Sequence, residues 1–423
     1  MGQTQTTDAT WRSGWRGLLL GSVAAGWFLA LGLRFVLPGI LPTITGTFPS
    51  ATETQAGIAV TVLWASYGVM QFPAGIAADR IGERRVLVAS LVLAAVALGA
   101  FSFTPTFTLF VVVAGLFGAA TGLYGPPRGT LLTRTFPRHA GRALGITLAA
   151  GSLGGAVLPA LAALMVEGLG WRATLGLAAP GFLVTAVAVS LAVPTHDGED
   201  GGASSRVQRS RDRSSTTIRA ALVGSGRAVT NRQTGLAIVA AIVMYFGYQG
   251  ITALVTTYLV TEKGFTQSGA GLLFGGLFVV GALSQWLAGR IADRRRSARV
   301  LTGIAVLSVF PLLGLVWFDG RILVAVSTIL IGIRMGFAPV SNAFIIDLLP
   351  ESVEGTAWGG VRTALFVVSS LGSTVVGVLA DGGYFDGAIV LLAVLTAGAA
   401  LIYLGLPSCK PRELLAECRE RRS

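Results

Sequence analysis

Two arginines, Arg34 and Arg334, lie within long apolar stretches of this chain, and no Asp or Glu falls centrally in any such stretch. A charge near the middle of a bilayer costs roughly 2.5–3.5 kcal/mol on insertion scales, so each guanidinium must face a partner, water or a ligand. Arginine stays charged and grips a carboxylate or phosphate through two parallel hydrogen bonds. Arginines without central acids therefore point to an anionic substrate. Arg334 sits near the middle of its stretch, in Ile331-Gly332-Ile333-Arg334-Met335-Gly336. There, a substrate contact competes with a structural pair to a carbonyl or carboxylate. Arg34 lies about five residues, or ~7 Å along a helix, from the centre of its stretch, and snorkelling towards the membrane surface is its alternative. Arg128 and Arg362 lie nearer the ends of theirs and read as snorkelling or pairing there.

No other grouping points to catalysis. A phosphate-binding loop needs Lys after its glycines, but the only lysines, Lys263 and Lys410, follow Glu262 and Cys409. His139 and His196 fall in polar loops. Cys409 and Cys418, with no histidine nearby, suggest neither a disulfide framework nor a metal site. With no nucleophile–base pair and no ligand cluster, the expectation is a non-enzyme without cofactor or metal.

The elements that must hold these arginines are membrane helices. The chain is 53% apolar and only 12% charged, with 57 glycines and a mean hydropathy of +0.71; a soluble domain is about 25% charged. A spanning helix needs about 20 apolar residues. Twelve runs qualify, at roughly 17–37, 57–77, 86–104, 107–131, 142–165, 171–193, 234–259, 269–291, 300–318, 321–346, 356–380 and 386–406. The expected fold is an all-α membrane protein with twelve transmembrane helices in two six-helix bundles, 1–194 and 233–407. A polar, Ser- and Arg-rich linker at 195–232 joins them, and 408–423 forms a tail.

The net charge of +12 could suggest nucleic acid, but its placement argues otherwise. With the N-terminus inside, 27 of the 32 Lys and Arg fall in internal segments, and only Arg172, Lys263 and Arg321 fall outside. This is a positive-inside bias. It puts both termini in the cytoplasm of a cell membrane and leaves nucleic acid out of the partners. Those partners are the bilayer, a small solute and, for a coupled carrier, an ion; a monomer is expected. Trp15, Trp171, Trp317 and Phe318, near run ends, read as interfacial anchors.

The chain also repeats itself. Ala74, Gly75, Ala78, Asp79, Arg80, Arg85, Val86 and Leu87 all recur 214 residues later, at Ala288 to Leu301. At the same offset Gly118, Gly122, Gly141 and Gly145 recur as Gly332, Gly336, Gly355 and Gly359. Small residues at this spacing let membrane helices approach closely. Identity fades beyond about residue 148. By this register Arg334 pairs with Ala120 and Arg34 with Tyr248, so the symmetric scaffold requires neither charge.

Two six-helix halves, a long central loop and the turn Gly75-x-x-x-Asp79-Arg80-x-Gly82-x-Arg84-Arg85 resemble the major facilitator superfamily. Gly289, Asp293 and Arg294 form a weaker second copy. There are departures: Glu83 stands where a basic residue is usual, Ala114 where a fourth-helix Arg is common, and at Leu158-Pro159 only the Pro of an exporter signature survives. The resemblance implies a central cavity lined by helices one, four, seven and ten. That places Arg34, Tyr124, Tyr248 and Arg334 at a solute site, with Tyr245 and Gln249 beside Tyr248. It also implies alternating access, gated at the charged turns. Asp79 would reach the start of helix eleven near Gly355–Trp358, and Asp293 the start of helix five near Gly141–Leu144, where free amides favour a carboxylate. The leading expectation is a secondary or facilitative transporter of a small anion. The alternatives are a proton-coupled exporter of apolar or cationic compounds and a transporter-like sensor.

Overall fold

The computed structural model describes residues 14–194, 232–349 and 354–406, the last without the side chains of 354–359. The expected linker, except Arg232, and the tail with its two cysteines lie outside the described residues. Every regular element among these residues is helical. That follows from the composition, since backbone groups in hydrocarbon must find partners within their own segment.

Span one is Gly14–Gly39, two Glu53–Ile81 and three Glu83–Phe101. Span four is Phe107–Gly122 continued by Gly125–Thr135; spans five and six share Ala140–Gly176, and six continues as Ala179–Ala192. Span seven is Arg232–Thr261, eight Gln267–Arg294 and nine Ser297–Trp317. Span ten combines Arg321–Leu330, a tighter 3₁₀ stretch at Ile331–Gly336 and Phe337–Leu348. Eleven is Glu354–Asp381 and twelve Phe385–Gly405. Threonines open three of these helices: the hydroxyls of Thr52, Thr106 and Thr266 each accept a first-turn amide, from Gln55, Leu109 and Gly269. Gly82 makes the turn between spans two and three at φ +88°, a conformation costly for any residue with a Cβ. Gly170, at φ 74°, separates spans five and six.

The glycine pairs of spans four and ten occupy equivalent contacts. Gly118 lies on the Leu63 carbonyl and Gly332 on that of Leu277, so close that a Cβ would overlap the backbone. Gly122 meets Tyr67 and Met70 of span two, while Gly336 meets Ser284 of span eight. Each half therefore packs its fourth helix on its second through the same small residues.

The halves meet at the end opposite the charged turns. Span two packs on span eleven, with Gly57 against Ser373 and Gly377 against Glu53. Span five packs on span eight, with Gly271 against Ala163 and Gly275 against Ala156. At the charged-turn end the halves stand apart. Gly141 and Gly145 have nothing within reach of a Cβ, which corrects the expectation that they pack like Gly118 and Gly122. Asp79 and Asp293 are exposed and have no hydrogen-bond partner among the described residues; Gly355, Gly359 and the expected Asp79 target near Gly355–Trp358 lie outside the residues described in full. Pro38 is accommodated inside the last turn of span one. Trp171 is buried, donating to the Thr47 hydroxyl at 3.0 Å, which corrects the expectation that it anchors at an interface. Trp15, Trp317 and Phe318 are exposed.

Candidate functional site

Arg34 does not snorkel. A helical side chain leans towards its own N-terminus, and here that turns the guanidinium back towards the middle of the molecule. Nε donates to the Ala30 carbonyl at 3.0 Å. The residue is 0% exposed, yet both terminal nitrogens lack any hydrogen-bond partner. Aromatic rings supply its surroundings: the guanidinium carbon lies 3.9 Å from the centre of Tyr67, 5.0 Å from Trp64 and 5.3 Å from Trp27. Ring faces attract a cation, but they satisfy none of its N–H donors.

Two further arginines reach the same aromatic cluster. Arg128, on span four, lies 4.2 Å from the Trp27 ring and donates to the Thr147 hydroxyl of span five at 2.8 Å, leaving its Nε unpaired. Arg362, on span eleven, lies 5.9 Å from the Phe366 ring and has no hydrogen-bond partner among the described residues. Phe366 packs edge-on to Tyr67 at 5.3 Å and stacks on Trp64 at 6.4 Å, joining the halves. All three guanidiniums are within electrostatic reach of Tyr67. Arg128 and Arg362 thus gather at the centre instead of snorkelling at a membrane face. No carboxylate takes part in any of these contacts.

Arg334 behaves differently. Its Nε and one terminal nitrogen donate to the Met244 carbonyl at 3.2 and 2.9 Å, and the other donates to the Thr396 hydroxyl at 2.7 Å. Gly247 lies against the guanidinium, where a Cβ would not fit. Of the two readings open for Arg334, the contacts favour a structural pair with a carbonyl. The side chain ties spans seven, ten and twelve together within one half, with each guanidinium nitrogen hydrogen-bonded.

The tyrosines also divide. Tyr124 is buried with its hydroxyl on the Val23 carbonyl at 3.0 Å and its ring stacked on Trp27, so it fastens span four to span one. Tyr248 is half-buried beside Phe35. Tyr245 packs on Phe337 and Phe366, with its hydroxyl 3.5 Å from the Asn342 amide oxygen. Gln249 is buried towards span eleven, where its backbone carbonyl accepts from Ser373 and its side-chain oxygen lacks a partner. Trp27, Trp64, Tyr67 and Phe366 were not singled out from sequence. A signal for two of the contacts existed, because Trp27 precedes Arg34 by seven residues on one helix face, and Trp64 and Tyr67 are three apart.

The charged turn is pinned through its departure from the superfamily pattern. Glu83 takes a 2.7 Å ion pair from Arg134 at the end of span four. Arg80 and Arg85 are exposed and Arg84 is half-buried, Gly75 and Gly289 face open space, and Arg294 is exposed at the end of span eight.

Comparison with known proteins agrees with this architecture. The chain resembles a crystal structure of a bacterial homologue of the human lysosomal transporter Spinster, inward-facing and unoccupied, with a TM-score of 0.75, 14% identity and coverage of 92% of this chain and 96% of that one. It also resembles a D-xylose–proton symporter, with a TM-score of 0.72, 15% identity and coverage of 93% and 99%. Among sequence relatives, a probable hexose phosphate transport protein of Chlamydia pneumoniae is 22% identical over 92% of this chain and 90% of its own. The cis,cis-muconate transport protein of Acinetobacter baylyi is 23% identical over 86% and 87%. A probable hexose phosphate transport protein of Chlamydia trachomatis is 25% identical over 37% of this chain, a match spanning only 35% of that relative. The sequence profile of the Major Facilitator Superfamily matches residues 23–359. With twelve spans in two repeated halves among the described residues and a family match over most of its length, the chain is a multi-pass membrane protein of the Major Facilitator Superfamily.

Proposed function

We propose that this protein is a secondary transporter that moves a small organic anion by alternating access between its two halves. The observation that carries the reading is Arg34, a fully buried guanidinium with two terminal nitrogens unbonded. A buried charge with unpaired donors is costly. A carboxylate or phosphate would pair with both nitrogens at once and recover that cost. Arg128 and Arg362 add positive charge from the first and second halves, so an anion would be held by both. The names of the two long-matching relatives point the same way, since hexose phosphate and muconate are both organic anions.

The positive-inside bias supports a topology with the charged turns and both termini on the cytoplasmic side of the plasma membrane. The closed end is then the outer one. In this state rings cover Arg34, so the anion reaches it as Trp27, Trp64 and Tyr67 part. A ligand drives the exchange of states only through its unequal affinity for them, and bridging arginines of two halves supplies that inequality. The carrier acts as a monomer in the bilayer.

Uptake of labelled carboxylates and phosphate esters into proteoliposomes tests the proposal. Saturable uptake that is lost in Arg34→Ala is the expected result, and unchanged uptake in that variant rules out the site. Export of apolar or cationic compounds instead requires flux that collapses with the proton gradient, while binding without flux identifies a sensor.

A further inference from the structure

The outer contacts between the halves obey the same 214-residue offset as the charged turns, in a region where sequence identity no longer reveals it. Asp381, at the end of span eleven, accepts from the backbone amides of Glu53 and Thr54 at 2.7 and 2.9 Å, capping span two across the interface. Glu167, at the end of span five, accepts from the amide of Ser268 at 3.2 Å, capping span eight. Glu167 and Asp381 are 214 apart, as are Thr54 and Ser268, Gly57 and Gly271, and Ala163 and Gly377. The outer gate is therefore closed by two equivalent clasps, each a carboxylate of one half on a helix start of the other.

One position breaks the equivalence. Glu53 in the first clasp corresponds to Gln267 in the second. Gln267 is neutral and donates through its amide to the Gly39 carbonyl at 2.8 Å. Glu53 can carry a charge, and its Oε2 is buried without a partner. We propose that the Glu53–Asp381 contact is a pH-sensitive clasp, in which the outer gate closes as Glu53 takes up a proton.

The reasoning is electrostatic. Asp381 is held as an anion by two amides and the positive end of span two. Closing the clasp therefore brings a second carboxylate beside Glu53 while shutting one Glu53 oxygen away from water. Asp381 is the one charged group acting on Glu53 among the described residues. Glu53 stands four residues before the apolar run of span two, and burial, together with the Asp381 charge, pushes its carboxyl up to about 7. In the open gate Glu53 meets outside water and has an ordinary carboxylate value. Closure thus carries no charge penalty below the ordinary carboxylate range, and the penalty grows as pH rises to about 7. One proton changes the closed-to-open ratio by at most about tenfold per pH unit within that window.

The test needs no substrate, so its failure is separate from that of the anion reading. Spin labels at Gln55→Cys and Tyr384→Cys, in a Cys409→Ser, Cys418→Ser background, report the outer separation of spans two and eleven in nanodiscs from pH 5 to 8.5. In the otherwise wild-type chain the short-distance population should grow as pH falls through about 7. Glu53→Gln, which copies the residue of the second clasp, should give short distances at every pH. Glu167→Gln should loosen closure at every pH while keeping the pH response, so its short-distance population grows only at lower pH than in the wild type. A distance distribution that ignores pH, or a Glu53→Gln protein that keeps the wild-type response, overturns the proposal.

Discussion

Arg34 and Arg334 carry the same side chain, equally buried, but differ in what their donors touch. Arg334 spends three nitrogens on Met244 and Thr396, so Arg334→Ala removes hydrogen bonds and leaves a void. A stability loss of about 2–4 kcal/mol follows, read as a lower melting temperature, with the KM of surviving protein near wild type. Arg34 has two nitrogens to offer. Arg34→Ala should abolish the thermal stabilisation given by a transported anion, and Arg34→Lys should recover only part, since an ammonium cannot pair bidentately. Equal loss of anion response in both alanine variants would contradict this division. The cost of burying charge made both arginines visible in the sequence. Their roles were not, because the carbonyl that answers Arg334 lies 90 residues away and no periodicity reports which helix stands behind another.

At the scale of the helix, the offset of 214 turned out to run further than identity shows. Gly118 and Gly332 recur as the same residue because their neighbour is a backbone carbonyl, which tolerates no Cβ. Ala163 and Gly377, or Glu167 and Asp381, need only remain small or acidic, so the match disappears from a letter-by-letter comparison while the contacts persist. Gly141 and Gly145 recur too, yet meet nothing at the separated end of the halves. Gly118→Leu or Gly332→Leu should therefore destabilise the folded protein by about 1–3 kcal/mol or more through overpacking. Gly145→Leu should leave the melting temperature in this state within about 0.5 kcal/mol of its equivalent. Melting curves in one detergent compare the three directly, and a Gly145→Leu protein as damaged as Gly118→Leu would show that the fifth helix is packed where this structure leaves it open.

The whole molecule is asymmetric from end to end although its halves are alike. The end opposite the charged turns is held by close glycine contacts and two carboxylate clasps; at the charged-turn end Asp79 and Asp293 are exposed. On our proposal the charged-turn end uses in another state the device seen at the closed end, an acid of one half beside the helix start of the other, since a rigid half cannot satisfy both at once. We propose that Asp79 then reaches the start of span eleven once the charged-turn ends of the two halves meet. Asp79→Asn should leave the outer-closed state intact and depopulate the outward-open one, because an amide interacts less favourably with the helix start than a carboxylate does. A cysteine at Gly145, open in this structure, should then be labelled faster by a membrane-impermeant maleimide applied from the cytoplasmic side. An unchanged labelling rate would reduce Asp79 to a solvated topology signal, while a slower rate would mean that it holds the cytoplasmic side open.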